Sequence, residues 1–527
     1  MVKSAIHWLQ TNSIILLNSS SLVGATLITS GLGFVYWWLA ARWFPPEAIG
    51  VASASVSAVM LLSSASILGL GTLLITELPR QPEKAGSLMS TALLVVGIAG
   101  CVTGCIFALV ASSASPGFRP LGDSAIDVGT FSVGVGFSAM TLVLDQALIG
   151  LLKGGLQFWR NVFFALIKLV ALLVVNFWPS QQVGMKIYAT WMVSAGLSLG
   201  LIVLNIVLNR RWRRKNYWPQ WQLLRKLGLA AVQHHMLNLT LQAPTQLLPV
   251  LVTFLLSARM NAWFYVAWMI ASFIFIVPGA LTTVLHATNA AQQTTLARKA
   301  RLTIGVALVI ALAANLVLQI GTTQVLGIFG ATYASQASWC LRILLLAAFP
   351  LTIKNHYISI CRIQDRIVKA MVAMLPGGLL ELGAATLGAQ FAGLSGLSLG
   401  WVLAICVEAA FMLPTVYTAV RLVPHTDIRE QTTDHEQESH PLETQPLSSP
   451  GTLEALWLIE TLILPIMPFT RKNDSVSTDV EKKTTPKTDK HHSHLKPLRL
   501  QLYNPSQEER EPTKADIGPS PLIHDPD

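Results

Sequence analysis

Charged residues are scarce in this sequence, and their scarcity excludes most soluble folds. Asp, Glu, Lys and Arg make up 12% of the 527 residues, hydrophobic residues make up 52%, and the mean hydropathy is +0.53. A soluble globular chain has about 25% charged residues. Water is therefore not the main solvent of this protein, and the composition predicts a chain that lies in a membrane.

Acidic residues are the scarcer of the two charged classes. The 27 Asp and Glu residues are outnumbered by 37 Lys and Arg residues, which gives a formal net charge of +10. A basic chain can bind nucleic acid, but here the cations lie between apolar runs and do not form one face of a soluble domain. Such a distribution sets the orientation of membrane proteins, so no nucleic-acid partner is predicted.

Cysteines are few, and nucleotide-binding motifs are missing. The five cysteines all lie within or at the edge of apolar runs, which indicates small core residues and neither a disulfide framework nor a metal site. The sequence has no G-x-x-x-x-G-K-[ST] loop, so it does not hydrolyse ATP by that route. Neither a catalytic constellation nor a metal or cofactor is predicted.

Long apolar runs are what the chain does have. A helix needs about 20 apolar residues to cross the hydrocarbon layer, and a helix satisfies its own backbone hydrogen bonds in lipid. The sequence therefore predicts an all-α integral membrane fold with about twelve transmembrane helices. The predicted spans are 14–40, 49–76, 86–112, 125–150, 157–178, 187–209, 228–256, 262–285, 302–325, 338–360, 371–391 and 397–420.

Basic residues are concentrated on alternate connectors. One side of the membrane carries most of them, whereas the other side has little more than Arg42, Arg119, Lys186 and Arg259. Because connectors rich in Lys and Arg stay in the cytoplasm, both termini are predicted to be cytoplasmic. The chain is expected to be a multi-pass protein of the cell membrane, either plasma or inner.

A basic connector divides the spans into two equal sets. Residues 210–226 interleave Arg and Lys with Trp and Tyr, which is typical of an amphipathic segment in the headgroup layer, although a solvated loop is the alternative. The predicted domains are an N-terminal six-helix lobe (1–209), this linker (210–226) and a C-terminal six-helix lobe (227–421). Residues 39–42 (LAAR) and 256–259 (LSAR) occupy matching places in the two halves, which favours a parallel repeat.

The composition changes abruptly after the last span. Residues 422–527 are rich in Pro, Thr, Ser, His, Glu and Lys, and they are predicted to form a mostly disordered cytoplasmic tail. One short apolar segment at 453–469 interrupts the tail and favours an interfacial or docking helix over a thirteenth span. The tail is a candidate site for recruiting partner proteins.

Several charged residues lie at membrane depth, where charge is costly and functional roles are common. The cations are candidates for binding substrate in a cavity, with snorkelling and headgroup anchoring as the alternatives for Lys168 and Arg42. The acids are candidates for ion coupling, with hydrogen bonding to a neighbouring helix as the alternative for Asp145. The substrate-binding candidates are Arg42, Lys168, Arg342 and Lys354, and the ion-coupling candidates are Asp145, Glu381 and Glu408.

The seventh span is unusually polar and contains two prolines. Helices broken by proline are tolerated in membranes where they line a cavity or a gate, so this span is predicted to be a bending gate helix. Its histidines are more readily explained as hydrogen-bonding groups than as metal ligands. The gate-helix candidates are His234, His235, Asn238, Pro244 and Pro249.

Three stretches resemble a known transporter family. They are residues 39–50 (LAARWFPPEAIG), 145–168 (beginning DQALIG) and 329–344 (beginning FGATY). Each is similar to sequence in the polysaccharide-exporter and oligosaccharide-flippase branch of the multidrug/oligosaccharidyl-lipid/polysaccharide (MOP) superfamily. The resemblance covers residues 10–421 and implies a MATE-like fold of two lobes around a central cavity, alternating access, and a polyprenyl-diphosphate-linked glycan as substrate.

These observations predict a membrane flippase and no enzyme. Its partners would be membrane lipids and a lipid-linked oligosaccharide precursor, moved from the cytoplasmic to the outer leaflet for envelope polysaccharide. The tail (422–527) would recruit a polysaccharide polymerase or glycosyltransferases. Cationic side chains suit the diphosphate, whereas a cationic drug would require net acidity. The alternatives are an ion-coupled exporter of organic cations with the same fold, and a membrane glycosyltransferase in which Glu47 would be an essential acid.

Overall fold

The computed structural model describes residues 13–177, 182–208, 217–219, 221, 229–289 and 296–421. Within these ranges the chain is helical between short connectors. The thirteen helices are α1 (Ser13–Trp43), α2 (Pro46–Ser66), α3 (Leu70–Arg80), α4 (Ala85–Ala114), α5 (Ala125–Gly150), α6 (Gly154–Asn176), α7 (Val183–Leu208), α8 (Leu229–Leu255), α9 (Ala258–Asn289), α10 (Leu296–Gly327), α11 (Ala331–Leu345), α12 (Ala348–Ile363) and α13 (Ile367–Arg421).

The helices in the described ranges correspond closely to the predicted spans. Eight are long and apolar enough to cross a membrane, and the bent pair α11–α12 supplies a ninth. Counting α13 as two spans and adding α1 and α8 gives twelve, so the prediction of an all-α membrane protein with about twelve spans is confirmed.

Local backbone geometry explains where helices break inside predicted spans. Leu68 and Gly69 have φ angles of 54° and 79°, and this left-handed pair ends α2 and starts α3 within the single predicted span 49–76. Gly393, with a φ of 55°, follows Ala392 at a break in α13. We refer to residues 367–391 as the first arm of α13 and to residues 394–421 as the second arm.

Helix α2 lies at the centre of the described helices. Every residue from Ala48 to Val59 is buried, and most of them are Ala, Ser or Val. In contrast, α10 exposes most of its apolar surface, as expected for a helix facing lipid. The small side chains of α2 allow close packing against α5 and α7 on one side and α8 and α9 on the other.

Contacts within the described residues fall mainly into two sets, α1–α7 and α8–α13, joined chiefly by α2 against α8 and α9.

Part of the predicted linker is also described: Ser90 and Ser87 on α4 donate hydrogen bonds to the carbonyl oxygens of Tyr217 and Trp218. The rest of the linker and the predicted tail, including its apolar segment at 453–469, lie outside the described residues. The domain boundaries therefore remain a prediction.

Candidate functional site

The turn between α1 and α2 is joined to the start of α9. Arg259 Nε donates to Glu47 Oε1 at 2.5 Å, and both side chains are largely exposed. Deeper in the same contact, Asn261 Nδ2 donates to the Gly50 carbonyl at 2.9 Å and to Ser53 Oγ at 3.0 Å. We name these five residues the clasp. They hold the two helix sets together at the end of the molecule that contains the α1–α2 turn.

Arg42, one of the four predicted substrate-binding cations, lies at this same end. Its Nε donates to the Ile328 carbonyl at 2.7 Å, and Trp38 Nε1 donates to the same oxygen at 3.0 Å. Arg42 thus bonds to the α10–α11 turn and is not brought together with the other predicted cations. Glu47, the acid of the glycosyltransferase alternative, pairs with a cation and has no second acid among its described partners.

Lys168 is buried in an aromatic cage between α1, α6 and α7. Its ammonium nitrogen lies 4.0 Å from the ring centroid of Trp191, 4.8 Å from that of Tyr36 and 5.4 Å from that of Phe164. Such rings attract a cation through their negatively polarised faces. Among the described residues no carboxylate lies within 4.0 Å of this nitrogen, so Lys168 is a buried cation without a counter-ion.

The aromatic cage adjoins the contact between the two helix sets. Trp37, next to Tyr36 on α1, lies 4.8 Å in centroid distance from Tyr265 on α9. Lys168 is therefore linked to α9 through two successive ring contacts, from Tyr36 and Trp191 to Trp37 and from Trp37 to Tyr265. Movement of α1 relative to α9 would separate Trp37 from Tyr265 and alter the environment of this cation.

The buried Arg160 of α6 forms an ion pair with the half-buried Asp145 of α5. Arg160 Nη2 lies 2.6 Å from Asp145 Oδ2, and Arg160 Nε donates to Oδ1 at 3.1 Å, which makes the contact bidentate. Arg160 Nη2 also donates to Asn161 Oδ1 at 2.8 Å. The ion-coupling candidate Asp145 is thus neutralised by a neighbouring guanidinium, a partner that the sequence analysis did not assign.

Lys354, Glu381 and Glu408 are brought together in a single buried cluster, which we name the ion cluster. Lys354 Nζ lies 2.5 Å from Glu381 Oε1 and 2.7 Å from Glu408 Oε2. Trp401 Nε1 donates to Glu381 Oε2 at 2.7 Å. One predicted substrate-binding cation and two predicted ion-coupling acids therefore neutralise one another, and Lys354 is committed to these acids in this conformation.

Arg342 lies apart from that cluster. Its guanidinium carbon is 5.4 Å from the ring centroid of Trp339, a residue that is 66% exposed on the side of α11. Its backbone carbonyl accepts a hydrogen bond from Gln319 on α10. The structure therefore places Arg342 on the α10 side of the bundle, and it does not join any other predicted site residue.

The predicted gate helix α8 contacts α12 through a residue that sequence reasoning missed as a site residue. Arg362 Nη2 donates to Asn238 Oδ1 at 3.0 Å, beside a polar pocket of about 240 Å³ between α8, α9 and α12. Arg362 Nε and His286 Nδ1, both at this pocket, have no hydrogen-bond partner among the described residues. Arg362 belongs to the last turn of α12. From the sequence alone, a cation at this position cannot be distinguished from one in the connector that follows the helix.

The other gate-helix candidates have different surroundings. His235 is buried, and its ring nitrogen Nε2 has no hydrogen-bond partner in the described part of the chain. Pro244 packs against Gly378 on the first arm of α13, and the Pro249 carbonyl accepts a hydrogen bond from Thr253. The side chain of His234 lies outside what the structure describes. Gate bending by α8 remains a prediction.

Pairing leaves an uneven charge distribution in the membrane-spanning region. Asp145 neutralises Arg160, and Lys354 neutralises one of the two acids of the ion cluster. Lys168, Arg342 and Arg362 keep no carboxylate partner among the described residues. Lys168 and Arg342 within the spans, together with Arg362 at the end of α12, outnumber the one surplus acid, and such cations can stabilise an anion that has left water.

Sequence comparison identifies the family. Residues 15–286 match the family model described as polysaccharide biosynthesis protein. This match covers half of the chain and begins in α1, so it includes the clasp, Lys168 and most of α9. A search of curated proteins finds no relative in sequence.

Solved structures show the same fold. The inward-facing conformation of a multidrug-resistance MATE transporter of the MOP superfamily has 17% identity and a TM-score of 0.61, covering 76% of this chain and 96% of that one. The outward-facing conformation of a MATE transporter has 14% identity, a TM-score of 0.52 and coverages of 77% and 97%. A MOP transporter from Pyrococcus furiosus, for which reversed polarity of the binding pocket suggests a different function, has 15% identity, a TM-score of 0.50 and coverages of 78% and 94%.

A chain of about twelve membrane helices, with a MATE-like arrangement and a family match over residues 15–286, is a multi-pass membrane transporter. The protein belongs to the polysaccharide biosynthesis protein family, the polysaccharide exporters of the MOP superfamily.

Proposed function

We propose that this transporter flips a polyprenyl-diphosphate-linked oligosaccharide precursor from the cytoplasmic to the outer leaflet for envelope polysaccharide. The observation that carries the proposal is the surplus of cations without a carboxylate partner, in the described spans and at the end of α12, in a chain whose family is that of polysaccharide biosynthesis. A diphosphate must exchange its hydration shell for other donors when it enters the bilayer. Guanidinium and ammonium groups supply such charged donors.

Arg362 is the residue best placed to meet the diphosphate first. It lies near the predicted cytoplasmic ends of α8, α9 and α12, at a pocket whose lining is rich in hydroxyl, amide and imidazole groups. Its Nε has no partner and its Nη2 bonds only an amide oxygen, so phosphate oxygens can be bound without breaking a salt bridge. Arg362 therefore acts as the entry contact for the anionic headgroup.

The clasp explains how the opposite leaflet is kept sealed while cargo enters. Its hydrogen bonds join α2 to α9 at the predicted outer end, and Arg42 adds a bond to the α10–α11 turn. Release to the outer leaflet requires these contacts to separate. Lys168 then becomes accessible as the rings of Trp37 and Tyr265 part, and it supplies a second positive charge along the route.

An exporter of organic cations is the rival function with the same fold. Such a cargo would need unpaired acids along the path, yet in the described region the free charges are mainly positive. A glycosyltransferase is less well supported, because Glu47 is neutralised by Arg259.

The test uses the full-length protein in liposomes that contain a fluorescent polyprenyl-diphosphate disaccharide. Flipping is followed as the label becomes accessible to an impermeant quencher, and the charge-neutral polyprenol disaccharide is the control cargo. Arg362→Gln should slow diphosphate flipping about tenfold, as expected for losing one charged hydrogen bond of about 1.5 kcal/mol. The matched control is Arg298→Gln, which neutralises an exposed arginine at the start of α10.

Three outcomes would contradict the proposal. Equal rates for charged and neutral cargo would remove the anion requirement. Equal effects of Arg362→Gln and Arg298→Gln would remove Arg362 from the entry site. Transport of a cationic dye, without movement of the diphosphate lipid, would favour the rival exporter.

A further inference from the structure

The ion cluster has an unbalanced charge. Lys354 supplies one positive charge, whereas Glu381 and Glu408 supply two negative charges if both are ionised. All three residues are less than 9% exposed, and a net charge in such surroundings is costly. The balance is restored if the cluster takes up one further positive charge.

The free acceptor in the cluster belongs to Glu408. Both oxygens of Glu381 are occupied, one by Lys354 and the other by Trp401. Glu408 Oε2 lies in ion contact with Lys354, the Glu408 carboxylate adjoins that of Glu381, and Glu408 Oε1 accepts no hydrogen bond that meets the geometric criteria among the described residues. A buried acceptor without a donor is costly, which makes Glu408 the place for an added charge.

A groove leads to this carboxylate. Its volume is about 650 Å³, and it runs between the two arms of α13 with Tyr357 of α12 on its lining. Lys369 and Thr415 line it near Ile367 and Arg421, the two ends of α13 that are predicted to face the cytoplasm, and Gly377 and Glu408 line it at depth. From Lys369 to Gly377 the groove spans about 12 Å at 1.5 Å per helical residue.

Gly377 is what makes room for Glu408 beside the first arm. A Cβ atom at Gly377 would lie 2.7 Å from Glu408 Cδ and within 2.9 Å of both carboxylate oxygens. Any larger residue would therefore push the carboxylate out of this position. The close approach leaves Glu408 facing the groove while it retains contact with Lys354.

Other titratable groups on the helices that pack against α13 make their described contacts elsewhere. His356 bonds Thr303, Cys340 bonds Ser398, and Arg301 bonds the Val420 carbonyl near the end of the second arm. His235 of α8 meets the backbone of Ala65 on α2. The charged or titratable groups around Glu408 are then Lys354, Glu381, Tyr357 and, at the groove mouth, Lys369.

A proton fits this site better than a metal cation. Hard cations require six or more oxygen ligands, whereas the cluster offers one carboxylate oxygen without a partner, and the Lys354 ammonium already occupies the position between the acids. No group of three or more His, Cys, Asp or Glu in the described residues is arranged to hold a metal ion. A proton needs only the one free oxygen.

We propose that Glu408 is a proton-binding site that exchanges protons with the aqueous phase through the groove between the arms of α13. A hydronium ion in the groove transfers its proton to Glu408 Oε1, which leaves water and a neutral carboxylic acid. The Lys354 ammonium is then balanced by Glu381 alone. Loss of the proton restores the surplus negative charge and the second contact to Lys354.

Proton exchange at Glu408 can bias the position of α13 relative to α12, because it changes how strongly Lys354 holds the second arm. Coupling this change to glycolipid flipping rests on the proposed function, but the proton site itself does not. The test therefore has a readout that needs no cargo.

The first measurement is an infrared titration of the purified full-length protein in lipid nanodiscs between pH 5 and 8. Surface carboxylates are mostly ionised in about this range, so they contribute little to a protonated-carboxyl band. The wild-type protein should show a protonated-carboxyl band that disappears as the pH rises. Glu408→Gln should abolish this band, and the surface control Glu83→Gln should retain it. Glu381→Gln should move the midpoint of the titration to lower pH, because without the second acid Glu408 is balanced by Lys354 alone. A band that persists in Glu408→Gln, or that is lost in Glu381→Gln alone, would overturn the assignment.

A second pair of variants keeps the proposal testable if Glu408→Gln does not fold. Gly377→Ala should shift the midpoint of the titration, because the new methyl group displaces the carboxylate. Gly383→Ala is the matched control in the same arm, since a Cβ there would meet no atom within 4 Å. Identical titrations of these two variants would contradict the placement of the proton at Glu408.

The third measurement separates the two proposals. In liposomes, an imposed pH gradient should change the flipping rate of the wild-type protein at least threefold, and Glu408→Gln should lose that response. If the infrared titration behaves as expected but no glycolipid moves, the cargo is wrong and the proton site stands. If glycolipid moves without any response to pH, and the band is absent, the proton site is wrong and the cargo stands.

Discussion

At the residue scale, the charges at membrane depth are of two kinds. Asp145 and the two glutamates of the ion cluster have cationic partners on neighbouring helices, whereas Lys168 has only aromatic faces. A paired charge can be explained by packing alone. An unpaired ammonium in an aromatic cage has a desolvation cost that ring contacts offset only in part, since each is worth about 0.5–2 kcal/mol. Lys168 therefore points to function more strongly than Asp145 does.

Lys168→Met tests this distinction, because Met has similar length and no charge. We expect flipping of the diphosphate lipid to fall at least tenfold, while stability is unchanged or raised by about 1–3 kcal/mol, as replacement of buried charge by apolar groups often does. Thermal unfolding in detergent measures the stability, and the liposome assay measures transport. A stable variant with normal flipping would show that the cation is only structural.

The sequence predicted which residues carry charge at depth, but it did not predict their partners. Hydropathy identifies a lysine within an apolar run, yet the residues that face it lie on other helices. Thus Lys354 was predicted to bind substrate, and the structure shows it between two predicted ion-coupling acids. Arg362 was missed because it lies at a helix end, where cations are common.

At the scale of the helix, sequence predicted the spans well and their internal breaks poorly. Span 49–76 is divided because Leu68 and Gly69 are left-handed, and Gly69 was the only local signal. The bend of 43° between α11 and α12 follows Leu345. Pro350 lacks an N–H group for the carbonyl four residues earlier, so this proline could have indicated the bend. Apolar residues on both sides of each break conceal it from hydropathy.

Helix α2 offers a test of the clasp. A Cβ at Gly50 would lie 1.6 Å from the Ala258 carbonyl oxygen, so Gly50→Val should keep α2 and α9 apart. Ser53→Cys, which is buried in the closed arrangement, should then react at least fivefold faster with an impermeant maleimide added outside intact cells.

The control for this experiment is Gly33→Ala, since a Cβ there would meet nothing within 4 Å. It should leave labelling of Ser53→Cys slow. Equal labelling in the Gly50→Val and Gly33→Ala backgrounds would mean that α2 and α9 do not form the closure, or that the predicted orientation is inverted.

At the scale of the whole molecule, all candidate residues lie between Arg42 and Glu408. Deletion of residues 422–527 should therefore leave flipping in liposomes within twofold of the full-length rate. In cells, the same deletion should lower polysaccharide output if the tail recruits a polymerase or glycosyltransferases, as predicted. Membrane insertion is checked by fractionation, and an inserted but inactive truncated protein in liposomes would assign the tail a direct role in transport.

Global architecture was more predictable than the site because it depends on quantities that sum along the chain. Twelve apolar runs and alternating basic connectors determine the number of spans, whichever side chains contact one another. The site depends instead on single contacts between distant helices, such as the bond from Arg362 to Asn238, 124 residues apart. Family resemblance supplied the fold, but it did not supply these contacts.

The predominance of Ala, Ser and Val from Ala48 to Val59 has a consequence for the rate of the transport cycle. Alanine and serine have few side-chain conformations to lose or exchange, so α2 presents a nearly smooth surface to its neighbours. Two rigid bodies that meet along such a surface can slide without repacking interlocked side chains. The pace of each transport cycle would then be governed by capture and release of the cargo, and not by friction within the scaffold.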